Sequence, residues 1–299
     1  MKVLVAEDDA ITSHLLQSLL IKAGYEPVAV DDGAKVLQTL DEPDMARLMI
    51  LDWMIPQVDG VELCKIIRRD TSRRYIYIIL LTAKGKQEEI NEGLEAGADD
   101  YITKPFDFHE LVARLRTGKR IVELQDQLVA QATHDSLTGL LNREAILDVL
   151  DTETARAVRT KSRLAVIMAD IDHFKSVNDE HGHLAGDSVL REVSKGMSSS
   201  VRAYDSIGRY GGEEFLIVVP GCNLAEASQL AERLRNNVRN AAVQAPGGSI
   251  PVTISFGVAD VSVCNNSVDL LRSADEALYA AKKSGRDRVE ACPEIKAAQ

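Results

Sequence analysis

Arg202–Val219 reads RAYDSIGRYGGEEFLIVV, and the order of residue types in it decides how the second half of the chain is built. Gly211-Gly212 stands just before the strand-like apolar run Phe215–Val219. A Gly-Gly pair between two such segments signals a hairpin, because both residues accept positive φ without steric cost. A tip without side chains also lets a bulky ligand approach closely. Glu213 and Glu214 repel each other at that tip unless something positive is bound. A second acidic set, Asp170 and Asp172, closes the apolar run RLAVIMADID. If this run and the hairpin are neighbouring strands, Asp170 and Glu213 face one cleft. Paired carboxylates of that kind clamp divalent metals for phosphoryl or nucleotidyl transfer, where a protein mostly positions groups and neutralises charge.

The surrounding chain sets bounds on this reading. At 299 residues it is long enough for about two domains. Its 45% hydrophobic and 27% charged residues are ordinary for a globular protein. No apolar run approaches the roughly 18 residues of a membrane span, so membrane insertion is not expected. MKVLVAEDDA at the start places carboxylates where a signal peptide needs small residues, which argues against export. A net charge of −11 argues against nonspecific nucleic-acid or anionic-membrane binding, though not against a local basic pocket for nucleotide phosphates. Cys64, Cys222, Cys264 and Cys292 are scattered and form no CxxC pair, which fits reduced thiols in a cytoplasm.

Residues 1–120 alternate strand-like runs (KVLVA, PVAV, LMILD, YIYIILLT, ADDYITKP) with helix-like stretches, the first of them closed by Gly24. That alternation predicts a doubly wound parallel sheet, with a site beyond the carboxyl ends of its strands. Residues 121–132 continue a helical stretch with apolar residues at Ile121, Leu124 and Leu128. The spacing supports two readings, a linker helix packed on its own domain or one that pairs two chains and carries a signal. From residue 133 to about 295 the rhythm changes to an α+β design, an antiparallel sheet with helices on one face.

Glu7 and Asp8 end the first strand, Asp52 the third, Thr82 the fourth, and Lys104 follows the fifth. Three carboxylates converging on one sheet edge suit Mg²⁺, which prefers oxygen ligands and retained waters. The metal leaves Asp52 free to attack a phosphoryl donor, while Thr82 and Lys104 hold phosphate oxygens. VAEDD, LDWMIPQVDG, LLTA and ITKPF together resemble the receiver domain of bacterial response regulators. The resemblance implies a flavodoxin-like fold, Asp52 as phospho-acceptor, and Mg²⁺ held by Glu7, Asp8, Asp52 and the Met54 carbonyl. It further implies that Thr82 and Tyr101 switch position on phosphorylation, that Lys104 pairs with the phosphate, and that a sensor histidine kinase is the partner. Glu7 stands where the family often has Asp.

In the second half, HFKSVNDEHGHLAGD supplies Lys175 for phosphates and places Asn178 and Asp187 on either side of a Gly-rich turn. A carboxylate can accept from guanine N1–H and the 2-amino group at once, and adenine has neither donor. YAAKKSGRDR adds Lys282 and Arg286, four apart on a helix end, for β- and γ-phosphates. The ordered set DSLTGLLNR, ADIDHFKSVND, GHLAGD, RYGGEEF and KKSGRDR resembles the GGDEF domain of diguanylate cyclases, a nucleotidyl-cyclase-like, ferredoxin-like palm.

That resemblance implies two Mg²⁺ or Mn²⁺ ions on Asp170, the Ile171 carbonyl and Glu213, assisted by Glu214. Glu213 also orients or deprotonates the ribose 3′-hydroxyl. Lys175 and the backbone N–H groups of His173 and Phe174 stabilise phosphate charge. Asn178 and Asp187 read guanine, His183 touches the substrate, and Lys282 and Arg286 hold the triphosphate. The reaction is two GTP to cyclic di-GMP and two pyrophosphates, which needs two facing sites and hence a homodimer or higher assembly. Arg202 and Asp205 form an RxxD pattern, in this family an inhibitory product site, with Arg233 as a further contact. Asp287 replaces the common Asn beside Arg286 and is expected to weaken triphosphate binding. The rival readings are a catalytically silent receptor for cyclic di-GMP and a phosphorelay adaptor that acts through protein contact alone.

Overall fold

Near-continuous apolar runs in the first half become strands buried on both faces, and helices cover each face. The computed structural model describes residues 1–42, 44–70, 73–83, 87–241, 243–245, 248–262 and 266–292. Cys264 and the expected end of the second domain at residues 293–295 lie outside them. The chain divides into two compact units, Met1–Val129 and Ala130–Gln299.

In the first unit β1 (Lys2–Ala6), α1 (Ala10–Lys22), β2 (Glu26–Val30), α2 (Gly33–Thr39) and β3 (Leu48–Asp52) lead into α3 (Gly60–Arg69) and β4 (Tyr77–Thr82). Next come α4 (Gln87–Glu95), β5 (Asp100–Thr103) and α5 (Phe108–Thr133). The five strands pair in parallel in the order β2-β1-β3-β4-β5, the doubly wound arrangement expected. Helix starts are set locally: Asp9, Asp32 and Asp59 each accept from a backbone N–H three residues on. One face of the sheet packs Leu4, Met49, Leu51, Ile78 and Leu80 against Val36, Leu63 and Ile67. The other packs Val3, Val5, Ile50 and Ile79 against Leu16, Leu20, Leu111, Leu115 and Val122. Each such fully buried side chain contributes roughly 1.5–3 kcal/mol. Leu124, Leu128 and Val129 of α5 are exposed.

The second unit runs α6 (Arg143–Thr160), β6 (Leu164–Ile171), α7 (Phe174–His181), α8 (His183–Ser198), β7 (Ser206–Gly211), β8 (Glu214–Pro220) and α9 (Leu224–Asn240). The short strands β9 (Val243–Ala245) and β10 (Gly248–Ile250) precede β11 (Ile254–Asp260), α10 (Ser267–Lys283) and β12 (Val289–Ala291). The main sheet has the order β12-β11-β6-β8-β7, antiparallel except for the β11–β12 edge. Helices do not lie on one face as expected. Residues of α8 and α9 pack with Ile167, Ala169, Phe215 and Ile217. Residues of α6 and α10 pack with Val166, Met168, Leu216 and Val218 on the opposite face. The reason is in β6, which is buried at every position: a strand without polar alternation needs cover on both sides.

Candidate functional site

Each unit gathers charged groups at strand ends. In the first, Glu7 and Asp52 are buried and Asp8 is exposed, and one oxygen of each lies within 4.8 Å of the others. Lys104, just after β5, places its Nζ 2.6 Å from Glu7 Oε2 and 3.0 Å from Asp52 Oδ1. Burial pushes the Glu7 carboxyl up and Asp52 adds to the rise, against the hydrogen bond from Lys104. One ammonium facing three carboxylates leaves negative charge uncompensated. An all-oxygen donor set with one exposed member fits Mg²⁺ or Mn²⁺. Thr82 is buried at the end of β4. Half-buried Tyr101 lines a small niche with Trp53, Leu80, Thr82 and Ile90. Met54, whose backbone carbonyl is the expected ligand, is 75% exposed.

In the second unit the β6–β8 register sets Asp170 opposite Glu214, and Ile171 N–H donates to the Glu213 carbonyl at 3.3 Å. Gly212 turns the hairpin at φ +44°. Asp170 is only 7% exposed, and Lys282 Nζ stands 2.7 Å from its Oδ2. Burial raises the Asp170 carboxyl to about 6 against the pull of Lys282, with Glu213 and Glu214 adding to the rise. Among the described residues the carboxylate triad with oxygens within 4.8 Å of one another is confined to the first unit. The donors are again all oxygen and carry more negative charge than Lys282 balances, so they fit divalent cations.

Asp172, expected to belong to the same acidic set, does a different job. Its buried carboxylate accepts from Thr253 Oγ1 at 2.8 Å, Ser255 Oγ at 2.7 Å and the Asp287 N–H at 3.0 Å. Those three bonds tie three segments together.

The residues expected to meet the phosphates and the base lie on α7, α8, α10 and the turn that follows α10. His173 adopts φ +56° before α7, whose start has no side-chain cap. That leaves first-turn N–H groups open to an anion. Lys175 is exposed and has no ion pair among the described residues. The Asn178 carboxamide packs over Gly186, where a Cβ would stand 2.0 Å from Asn178 Oδ1. Asp187 follows on α8, with Arg191 Nη2 4.0 Å from its carboxylate, and His183 is exposed at the start of that helix. Lys282 lies on α10, but Arg286 does not: the helix ends at Lys283, and Gly285, Arg286 and Asp287 have φ of +114°, +62° and +44°. The Asp287 carboxylate turns to Arg235 at 2.8 Å and Arg239 at 3.2 Å.

In the RxxD segment the two side chains do not pair with each other. Asp205 Oδ2 accepts the Arg202 backbone N–H at 2.8 Å, while Asp205 Oδ1 is buried without a partner among the described residues. The Arg202 guanidinium donates to Tyr204 Oη at 2.7 Å. Exposed Arg233 donates to the Ser200 carbonyl at 2.9 Å.

Sequence reasoning missed a brace on the hairpin. Arg209 reaches both Asp135 oxygens at 3.1 and 3.2 Å and donates through Nε to the Gly212 carbonyl at 2.9 Å. Burial pushes the Asp135 carboxyl up, but hydrogen bonds from Thr138 and Arg209 outweigh it and hold the group below the usual carboxylate range. The available signal was an Asp in DSLTG and an Arg two residues before the glycine pair.

Comparison with known proteins assigns a family to each half of the chain. Residues 132–288 match the family described as diguanylate cyclase, GGDEF domain, and residues 3–116 match the response regulator receiver domain. Response regulator PleD of Caulobacter vibrioides is 32% identical over 300 residues; the alignment covers 96% of this chain, which spans 65% of that protein's length. Diguanylate cyclase DosC of Escherichia coli is 41% identical over 180 residues, 58% of this chain and 39% of DosC. A solved structure of the coiled coil and GGDEF domain of DgcB from Caulobacter crescentus, in complex with c-di-GMP, is similar with a TM-score of 0.56. It is 31% identical, covering 61% of this chain and 97% of that one. Among the described residues no helix is long and apolar enough to cross a membrane. This chain belongs to the GGDEF family of diguanylate cyclase domains, joined to a response regulator receiver domain.

Proposed function

We propose that this chain converts two GTP to cyclic di-GMP and two pyrophosphates, under control of phosphorylation at Asp52. The observation that carries this reading is the β6–β8 register, which sets buried Asp170 beside the Glu213-Glu214 tip with Lys282 at hand. Divalent cations held by Asp170, the Ile171 carbonyl, Glu213 and Glu214 would supply charge neutralisation on the phosphates. Glu213 orients and deprotonates the ribose 3′-hydroxyl. That oxygen bonds to the α-phosphorus of the opposite GTP as the α–β bridge breaks and pyrophosphate leaves. Lys175, the His173 and Phe174 N–H groups, Lys282 and Arg286 hold the phosphates, and Asn178, His183 and Asp187 hold the guanine end. The second bond closes in the same way, so two protomers must face each other.

In the receiver, Asp52 takes a phosphoryl group from a sensor histidine kinase in the cytoplasm. A cation on Glu7, Asp8, Asp52 and the Met54 carbonyl would neutralise charge, Lys104 would shift to the new phosphate, and Thr82 and Tyr101 would rearrange. Exposed Leu124, Leu128 and Val129 supply an apolar seam through which two linker helices pair. Cyclic di-GMP would inhibit by binding at Arg202 and Asp205 with help from Arg233; unpartnered Asp205 Oδ1 supports this.

The test is turnover of GTP with Mg²⁺ by purified protein, with and without an acyl-phosphate donor. Cyclic di-GMP that rises with the donor, disappears in Glu213→Gln and loses its rise in Asp52→Asn supports the reading. Cyclic di-GMP bound but never made would replace it with a receptor.

A further inference from the structure

The turn after α10 is held more firmly than a surface connection needs. Its residues Arg286 and Asp287 both have left-handed backbones, a conformation that Asp tolerates and that Arg adopts only when its surroundings impose it. Here the surroundings are explicit. The Arg286 N–H bonds to the Ala281 carbonyl at 3.0 Å, and the Asp287 N–H bonds to buried Asp172 at 3.0 Å. Arg235 Nη1 on α9 donates to both the Asp287 carbonyl, at 3.2 Å, and its carboxylate, at 2.8 Å. Arg239 adds an ion pair at 3.2 Å, and the Arg288 carbonyl accepts from Phe256 N–H at 2.9 Å. The Arg235 side chain is only 15% exposed, so this anchor is shielded from solvent.

What this scaffold presents is the Arg286 side chain, exposed and without an ion pair or hydrogen bond among the described residues. Its backbone is held from both sides and its guanidinium is free. That division suits a group whose partner is a ligand, since orientation set in advance reduces the cost of binding. An acid next to a phosphate-binding Arg is expected to repel the ligand, but here two arginines of α9 neutralise it and direct it away.

We propose that Asp287, seated on Asp172 and clamped by Arg235, is a positioning residue for Arg286 in recognition of the nucleotide's terminal phosphates. The proposal rests on the reading of this unit as a GTP site. It differs from a purely structural role in what it predicts: only ligands with a polyphosphate should sense the clamp.

The experiment is calorimetric binding of GMP and of a GTP analogue with a methylene α–β bridge to the full chain with Mg²⁺. Wild type is compared with Arg235→Gln, Asp287→Ala and Asp287→Asn, each checked for folding by circular dichroism. Arg235→Gln and Asp287→Ala should lose about tenfold in affinity for the analogue with GMP changed less than about twofold. Asp287→Asn keeps an acceptor for Arg235 and tolerates the left-handed backbone, so it should stay within about threefold of wild type. If folded variants keep the wild-type preference for the triphosphate, or lose both ligands in parallel, the positioning role is wrong. A wild type with no such preference would overturn the proposal together with the GTP reading. Arg235→Gln alters a residue outside the set named for nucleotide contact and carries the test if Asp287→Ala does not fold.

Discussion

Gly186→Ala should separate folding from base recognition. The added Cβ would stand 2.0 Å from Asn178 Oδ1, 3.0 Å from its Cγ and 3.2 Å from Phe174 Cζ. An ordinary carbon–oxygen contact is near 3.3 Å, so the carboxamide must retreat by about 1.3 Å. It is the end of a flexible side chain, and an off-rotamer excursion costs about 0.5–1.5 kcal/mol. Against this, replacing a helical Gly by Ala contributes up to about 1 kcal/mol of helix stability. The two effects nearly cancel, and the midpoint of urea unfolding should barely move. Guanine binding should not escape, because a displaced Asn178 leaves a hydrogen bond unmade, worth about 1–3 kcal/mol in a desolvated site. The affinity for GTP should fall by about tenfold or more while the affinity for ATP, which offers Asn178 no guanine edge, stays the same. Calorimetry with GTP and ATP, beside urea unfolding, reads both quantities. A variant that keeps wild-type discrimination would refute the role of Asn178. A large loss of stability would show instead that the site is overpacked.

Three other outcomes follow from the charged clusters. The folded-state Asp170 carboxyl sits at about 6 against 3.8 for the ordinary group, so the folded chain holds that proton more tightly than the unfolded one. Its contribution to stability is present at low pH and is lost as pH rises from about 4 to 6, by roughly 3 kcal/mol. With chelator present, urea unfolding of Asp170→Asn should lack this component, and equal pH profiles for variant and wild type would refute it. Breaking the hairpin brace with Asp135→Asn should cost about 1–2 kcal/mol, discounted for its partial exposure. A double-mutant cycle with Arg209→Gln should return a coupling above about 0.5 kcal/mol; additive losses would mean the two side chains do not cooperate. Lys104→Met removes the ammonium from three crowded carboxylates, so it should destabilise the receiver in chelator and make the stabilisation by added Mg²⁺ larger than in wild type. A smaller Mg²⁺ effect in the variant would count against a cation site there.

The exposed seam on α5 shows how far a local pattern reaches. Spacing alone left Ile121, Leu124 and Leu128 open to two readings. In the structure Val122 is buried on the receiver core while Leu124 and Leu128 are 47% and 59% exposed, so one helix packs on its own unit and still leaves apolar side chains uncovered. The α6–β6 region offers the reverse lesson. Its apolar run was legible as a strand, yet the need to cover both faces was not drawn from it, although the missing polar alternation carries that information.

What the sequence by itself determined about this protein is what neighbours along the chain encode: strand and helix periods, Asp and Asn caps, the glycine turn, and acids at the ends of particular strands. Those signals suffice for the parallel sheet of the first unit and the mainly antiparallel sheet of the second, for the Glu7–Asp8–Asp52 cluster and for the Asp170–hairpin edge, because strand ends in one sheet converge wherever the strands pair. What only the tertiary structure decided is which charge meets which. Asp172 and the Asp287 N–H are 115 residues apart, Asp135 and Arg209 are 74 apart, and Arg235 and Asp287 are 52 apart. Charged side chains look alike in sequence, and each Asp here has several cations it could face. Strand order, register and the left-handed turn after α10 make the choice, setting Asp172 under the turn, Asp287 against α9 and Asp170 against Lys282.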